Sequence, residues 1–89
     1  MNFNIVDLKK KIIYRSTYRG TKEMDKLLSA FTKKYINDLN KSELILLNDL
    51  LDIDDENLFN FNQAKEITIK IDKNKITELF KNYKYTIKE

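Results

Sequence analysis

The sequence predicts an all-α fold, a small five-helix bundle, and three observations carry that expectation. Apolar residues recur at three- and four-residue spacings along most of the chain. Polar capping residues stand where the last three apolar runs begin. The residues that tight β-turns need are nearly missing, since one of 89 residues is Gly and none is Pro. A hydrophobic content of 42% with 35% charged residues suits a globular chain with a well-solvated helical surface.

Phe3, Ile5, Val6, Leu8, Ile12 and Ile13 mark a first helix over residues 3–16, with no breaker inside it. A turn near 16–18 leads to the longest periodic run. There Met24, Leu27, Leu28, Phe31, Tyr35 and Leu39 form one stripe of an amphipathic helix over residues 20–38. Lys22, Lys26, Lys33 and Lys34 lie off that stripe. Asn40 and Glu43 have the spacing of a capping box and open a third helix, with Leu44, Leu47, Leu50 and Leu51 facing inward. Asp54, Asp55 and Glu56 supply a cap and first-turn acids for a fourth, where carboxylates complement the positive end of the helix dipole. Its expected packing residues are Leu58, Phe59, Phe61 and Ala64.

Ile67, Ile69 and Ile71 alternate with polar residues like a strand, but no partner strand is visible. Residues 66–72 therefore read as an extended connector lying on the bundle. Asp72 would then cap a final helix, about 73–84, with Ile76, Leu79, Phe80 and Tyr83 inward. No linker, repeat or boundary interrupts the pattern, so residues 1–89 are expected to form one helical domain.

The absences narrow the chemistry. With no His, no Cys and one Gly, these residues offer no imidazole acid–base pair, no thiol nucleophile, no zinc site of the usual ligands and no glycine-rich phosphate loop. An enzyme acting alone is nearly excluded. No apolar run approaches the length of a membrane span. The start shows neither a signal core nor an Arg-rich transit segment, which makes a bacterial-type cytoplasmic location the expectation.

The net charge of +3 conceals a partition. Residues 1–41 carry ten Lys/Arg and four Asp/Glu, residues 42–64 carry six acids and no base, and residues 65–89 carry seven bases and four acids. Such a dipolar chain suits a protein partner with complementary patches better than a nucleic acid.

The acids from Asp52 to Glu56 do not make a calcium loop. In EF-hand register from Asp52, Asn57 stands where Gly is required and Gln63 where a bidentate Glu is required. Helix capping accounts for them better. Lys9, Lys10 and Lys11 read as a solvated helix face rather than a phosphate patch. Most of the aromatic residues fall at core spacing, with Tyr14 and Tyr18 the partly exposed exceptions.

Among 17 basic residues only two are Arg, Arg15 and Arg19, both just before Gly20. Arginine's planar fork of donors clasps acceptors in a way that Lys does not. With a helix starting near Gly20, Arg19 and Glu23 would share a face. Spacing alone favours an ordinary intrahelical pair worth ~0.3–0.5 kcal/mol, with Gly20 a plain turn residue. The second reading of a guanidinium and a carboxylate beside bare backbone is a recognition surface, since Arg and aromatics are typical interface anchors.

The run Arg19-Gly20-Thr21-Lys22-Glu23-Met24-Asp25 resembles the Arg-Gly-x-x-Glu signature, followed by Asp, of the SdhE-type succinate dehydrogenase assembly factors, the flavinylation factors. Tyr14-Arg15-Ser16 is similar to the family's aromatic–Arg–small stretch. Tyr35, Leu39, Glu43, Leu50, Leu51 and Asp54 follow in the family's order. The segment from Asp54 to Phe61 is similar to its Asp-x-x-Leu-Phe-x-Trp stretch, with Phe61 in place of Trp. The likeness covers about residues 11–62, after which the usual Gly/Pro-containing connector is replaced by the Ile-rich stretch.

The resemblance implies a five-helix bundle that binds the flavoprotein subunit of succinate dehydrogenase or fumarate reductase and promotes covalent attachment of FAD to a histidine there. It implies a non-enzymatic factor with no stably bound cofactor, the FAD residing on the partner; a monomer is the expected state, with a weak homodimer left open. Arg19, Gly20 and Glu23 would form the partner-binding face, extended by Arg15, Tyr14 and Asp25. In that expectation Arg19 forks onto partner groups, and Glu23 either orients Arg19 or meets a partner cation. No catalytic, cofactor-binding or metal residue is expected in this chain. The rival reading is a small basic helical nucleic-acid binder using Lys9–Lys11, Arg15, Arg19, Lys22 and Lys26, whose binding would fall steeply with salt.

Overall fold

The computed structural model describes residues 4–84. Five α-helices follow one another: α1 (Ile5–Thr17), α2 (Lys22–Tyr35), α3 (Lys41–Leu50), α4 (Asp55–Asn62) and α5 (Lys75–Asn82), with a 3₁₀ turn Ile36–Asp38 after α2. No strand occurs among the described residues. The expected all-α bundle is therefore what the chain adopts, and residues 65–73 are the connector without regular structure.

Local capping fixes most helix starts. The Asn40 side chain accepts the Glu43 N–H and the Glu43 side chain accepts the Asn40 N–H, both at 2.9 Å. Asp54 caps α4 by accepting the Asn57 N–H at 3.1 Å. Hydrogen bonds from the Asn57 side chain and backbone N–H hold the Asp54 carboxyl below the usual aspartate range. Several boundaries differ from expectation. α2 runs only from Lys22, capped by Thr21, to Tyr35 instead of over residues 20–38, and Asn74 rather than Asp72 caps α5. Asn74 wins because Thr77 returns the bond, its hydroxyl accepting the Asn74 N–H at 2.8 Å.

The core gathers one stripe from each helix: Leu8 and Ile12 of α1, Leu28 and Phe31 of α2, Leu44 and Leu47 of α3, Leu58 of α4, and Ile76 and Phe80 of α5. Phe31 is its aromatic hub, with ring centroids 5.1 Å from Tyr35, 5.2 Å from Phe80 and 5.4 Å from Tyr83. These tilted and edge-on pairs are the favoured quadrupole arrangement.

Several predicted packing residues lie outside this core. Ile5, Val6 and Ile13 sit on the exposed flank of α1, and Phe59 is 37% exposed. Phe3 lies outside the described residues. Ala64 does not pack at all: it is exposed at φ 57°, just past the end of α4. There the Lys65 N–H returns to the Asn60 carbonyl at 2.8 Å, and the Ala64 N–H to that of Phe61 at 3.3 Å. This is a Schellman ending with alanine in the position that glycine normally takes.

Two buried asparagines do work that periodicity does not reveal. Asn57 holds the connector by accepting the Thr68 N–H at 2.9 Å. The Asn62 side chain donates to the carbonyls of Phe80 (2.8 Å) and Tyr83 (2.9 Å), satisfying the end of α5.

Candidate functional site

α1 ends at Thr17, and a short turn carries the chain through Gly20 to Thr21, whose hydroxyl caps α2 at Met24. Gly20 has no positive φ, so left-handed backbone is not what the glycine supplies. Carboxylates shape the turn instead. Asp25, one helical turn into α2, accepts the Arg19 N–H. Asp55, the first residue of α4, accepts the Gly20 N–H through Oδ2 at 2.7 Å. A Cβ on Gly20 would stand 3.0 Å from that oxygen. The bare backbone therefore permits close approach by the chain's own carboxylate.

The same Asp55 takes Arg19 Nε through Oδ1 at 2.8 Å, with side chains only 11% and 24% exposed. The rest of the Arg19 fork is also occupied. Nη1 donates to the carbonyls of Leu51 (3.1 Å) and Arg15 (3.4 Å), and Nη2 to that of Ile53 (3.0 Å). Arg15 works beside it, Nη1 reaching the Asn48 carbonyl and Oδ1 at 2.9 and 2.7 Å while Nη2 pairs with Asp52. Both arginines thus fasten the end of α1 to the α3–α4 loop. An ammonium could not serve acceptors spread around one plane, which is why Arg occurs here in a Lys-rich chain.

The expected Arg19–Glu23 pair does not form. Arg19 precedes the helix, its guanidinium turns to Asp55, and Glu23 is exposed with no hydrogen-bond or ion-pair partner among the described residues. Of the two roles expected for Glu23, orienting Arg19 is the one that this geometry removes. Tyr14 and Tyr18 are exposed at 65% and 71%, their rings 4.8 Å apart. Asp25 is half-buried and faces inward onto the turn.

The turn thus presents Glu23, the Gly20 backbone and the tyrosine pair outward, while Arg15, Arg19 and Asp25 brace it from within. Beside it, Thr21, Glu23, Met24, Asp55, Glu56 and Phe59 line a cleft of about 350 Å³ between the first turns of α2 and α4. Sequence reasoning missed the partners Asn48, Asp52 and Asp55, which lie 33 to 37 residues from the arginines they hold. The only signal for the two aspartates was the acidic run itself, which helix capping already explained. No group of three or more metal-ligating side chains occurs among the described residues. No helix among them is long and apolar enough to cross a membrane.

The chain is similar to succinate dehydrogenase assembly factor 2, mitochondrial, of Scheffersomyces stipitis, with 43% identity over 49 residues that make up 55% of this chain and 33% of that protein. The match therefore spans about a third of that curated relative's length. No solved structure matches the chain. A family model described as flavinator of succinate dehydrogenase (Sdh5) matches residues 10–84, well past the point where the motif likeness fades. From within α1 to beyond α5, then, the chain belongs to the succinate dehydrogenase flavinator family.

Proposed function

We propose that this chain binds the flavoprotein subunit of succinate dehydrogenase or fumarate reductase and promotes covalent attachment of FAD to a histidine of that subunit. The FAD and the nucleophile belong to the partner, and this chain keeps no cofactor of its own. The observation that carries the reading is the braced turn. Arg15 and Arg19 with Asp25, Asp52 and Asp55 brace it, yet it presents an unpartnered Glu23, an exposed Gly20 and exposed Tyr14 and Tyr18. Rigid presentation of aromatic and charged groups is what a protein-docking surface needs.

Docking stabilises the partner conformation in which its histidine nitrogen faces the flavin 8-methyl group. The contribution is positional, holding reacting groups at attack distance, with no acid, base or nucleophile donated by these residues. Family membership supports this role, as does a chain without His or Cys. The rival nucleic-acid reading loses its two best phosphate ligands, because Asp52 and Asp55 already engage both guanidiniums.

In-gel flavin fluorescence of the partner, co-expressed with this chain, tests the reading. Covalent flavin should fall when Glu23→Lys and Tyr14→Ala are combined in a chain that still folds. Undiminished fluorescence would sink the site assignment.

A further inference from the structure

The cleft between the first turns of α2 and α4 joins an apolar floor to an acidic rim. Met24 is 3% exposed and belongs to the core, while Phe59 is 37% exposed. Glu23 from α2 and Glu56 from α4 are both exposed, and neither has an ion-pair partner among the described residues. Asp55, the third acid of the lining, is already committed to Arg19 and Gly20. No basic side chain lines the cleft. First-turn acids do complement the helix dipoles. That effect explains the carboxylates but not the exposed ring beside them.

The occupant that satisfies every wall is a side chain with a long aliphatic stem and a cationic tip. The stem covers the exposed part of Phe59, and the tip reaches Glu23 and Glu56. The Phe59 ring already has a cation of this chain near it, Lys65 Nζ at 5.5 Å from its centroid, so the incoming tip is drawn to the carboxylates and not to the ring. A purely apolar group would leave two carboxylates desolvated without a partner. A bare metal ion would leave the apolar floor uncovered. An anion would be repelled.

We infer that this cleft receives one exposed Lys or Arg side chain of the flavoprotein partner, which anchors the complex beside the braced turn. The inference rests on the functional reading above and adds Glu56 and Phe59 to the surface.

The test titrates the full chain against the purified flavoprotein subunit at several salt concentrations, with Glu56→Lys, Glu56→Gln and Phe59→Ser as variants. Glu56→Lys should weaken binding at least about tenfold, as loss of a central charged contact does. Exchanging the matching basic residue of the partner for Glu should restore it. Glu56→Gln should flatten the salt dependence, a change that damage to folding alone would not produce. Should the wild type bind while all three variants stay within twofold of it and keep its salt dependence, the cleft is empty in the complex. The inference then fails and the functional reading stands. Should the wild type not bind the flavoprotein, the functional reading fails first and this inference with it.

Discussion

Asp55 holds Arg19 and Gly20 with one carboxylate, Oδ1 on the Arg19 guanidinium and Oδ2 on the Gly20 N–H. The start of α4 thereby sets the geometry of a turn 35 residues earlier in the chain. The Arg-Gly pair and the acidic run after α3 are one structural unit. Substitution of Arg19 therefore disturbs the fold as well as any surface it supports.

Arg19→Lys should separate charge from fork. Lysine keeps the cation beside Asp55 but cannot also reach the carbonyls of Leu51, Ile53 and Arg15. We expect a loss of about 2 kcal/mol in urea unfolding with the slope unchanged, since hydrogen bonds from a charged, largely buried donor are lost. A loss below about 0.5 kcal/mol would mean that the clamp contributes little to stability.

Glu23→Gln should behave in the opposite way. The carboxylate is exposed and has no partner among the described residues, so its loss should move stability by no more than about 0.5 kcal/mol. Covalent flavin on the co-expressed partner should nevertheless fall. A fall in stability matching that of Arg19→Lys would place Glu23 in the scaffold rather than on the docking face.

Ala64 should be improved by glycine. Its φ of 57° places a Cβ against the following backbone, and the Schellman ending of α4 demands that conformation. Ala64→Gly should stabilise by about 1 kcal/mol and raise Tm by about 4–8 °C in a calorimetric scan. The chain's one glycine and its one described left-handed residue thus occupy different places, Gly20 for close approach and Ala64 for helix termination.

That separation shows where sequence reasoning reaches and where it stops. The helices were legible because their signals are local: the stripe from Met24 to Phe31, and the Asn40–Glu43 box. Ala64 was misread because nothing in an alanine announces a positive φ, and its spacing after Leu58 and Phe61 suits a packing stripe. Asp72 and Asn74 are both good caps. The choice between them depends on the reciprocal bond with Thr77 and on Ile76 reaching the core. At the candidate site the residue types were legible, and so was the need for arginine. Their partners were not, because hydrogen bonds spanning more than 30 residues leave no periodic trace.

Thr32 should tolerate loss of its hydroxyl. The residue is 1% exposed, and its Oγ1 has no hydrogen-bond partner among the described residues. Valine has nearly the same shape and removes the unsatisfied polar atom. Thr32→Val should therefore stabilise by about 1 kcal/mol in urea unfolding. Destabilisation would show that the hydroxyl finds a partner in solution.

Acid should loosen the attachment of α5 to α3. Glu43 Oε2 meets Lys75 Nζ at 2.5 Å, and this bond, followed by the Asn40 N–H, holds the carboxyl below its ordinary value of 4.5. A depressed carboxyl binds its proton less readily in the folded chain than in the unfolded one. Its stabilisation is therefore present above about pH 4.5 and is lost as pH falls through the lower folded value. Glu43→Gln keeps an acceptor for the Asn40 N–H but removes the charge. Urea midpoints measured from pH 7 to pH 3 should fall less steeply below pH 4.5 in this variant than in the wild type. Parallel acid limbs would show that the Glu43–Lys75 pair does not couple protonation to folding, and that other carboxyls, Asp54 first among them, set the acid response.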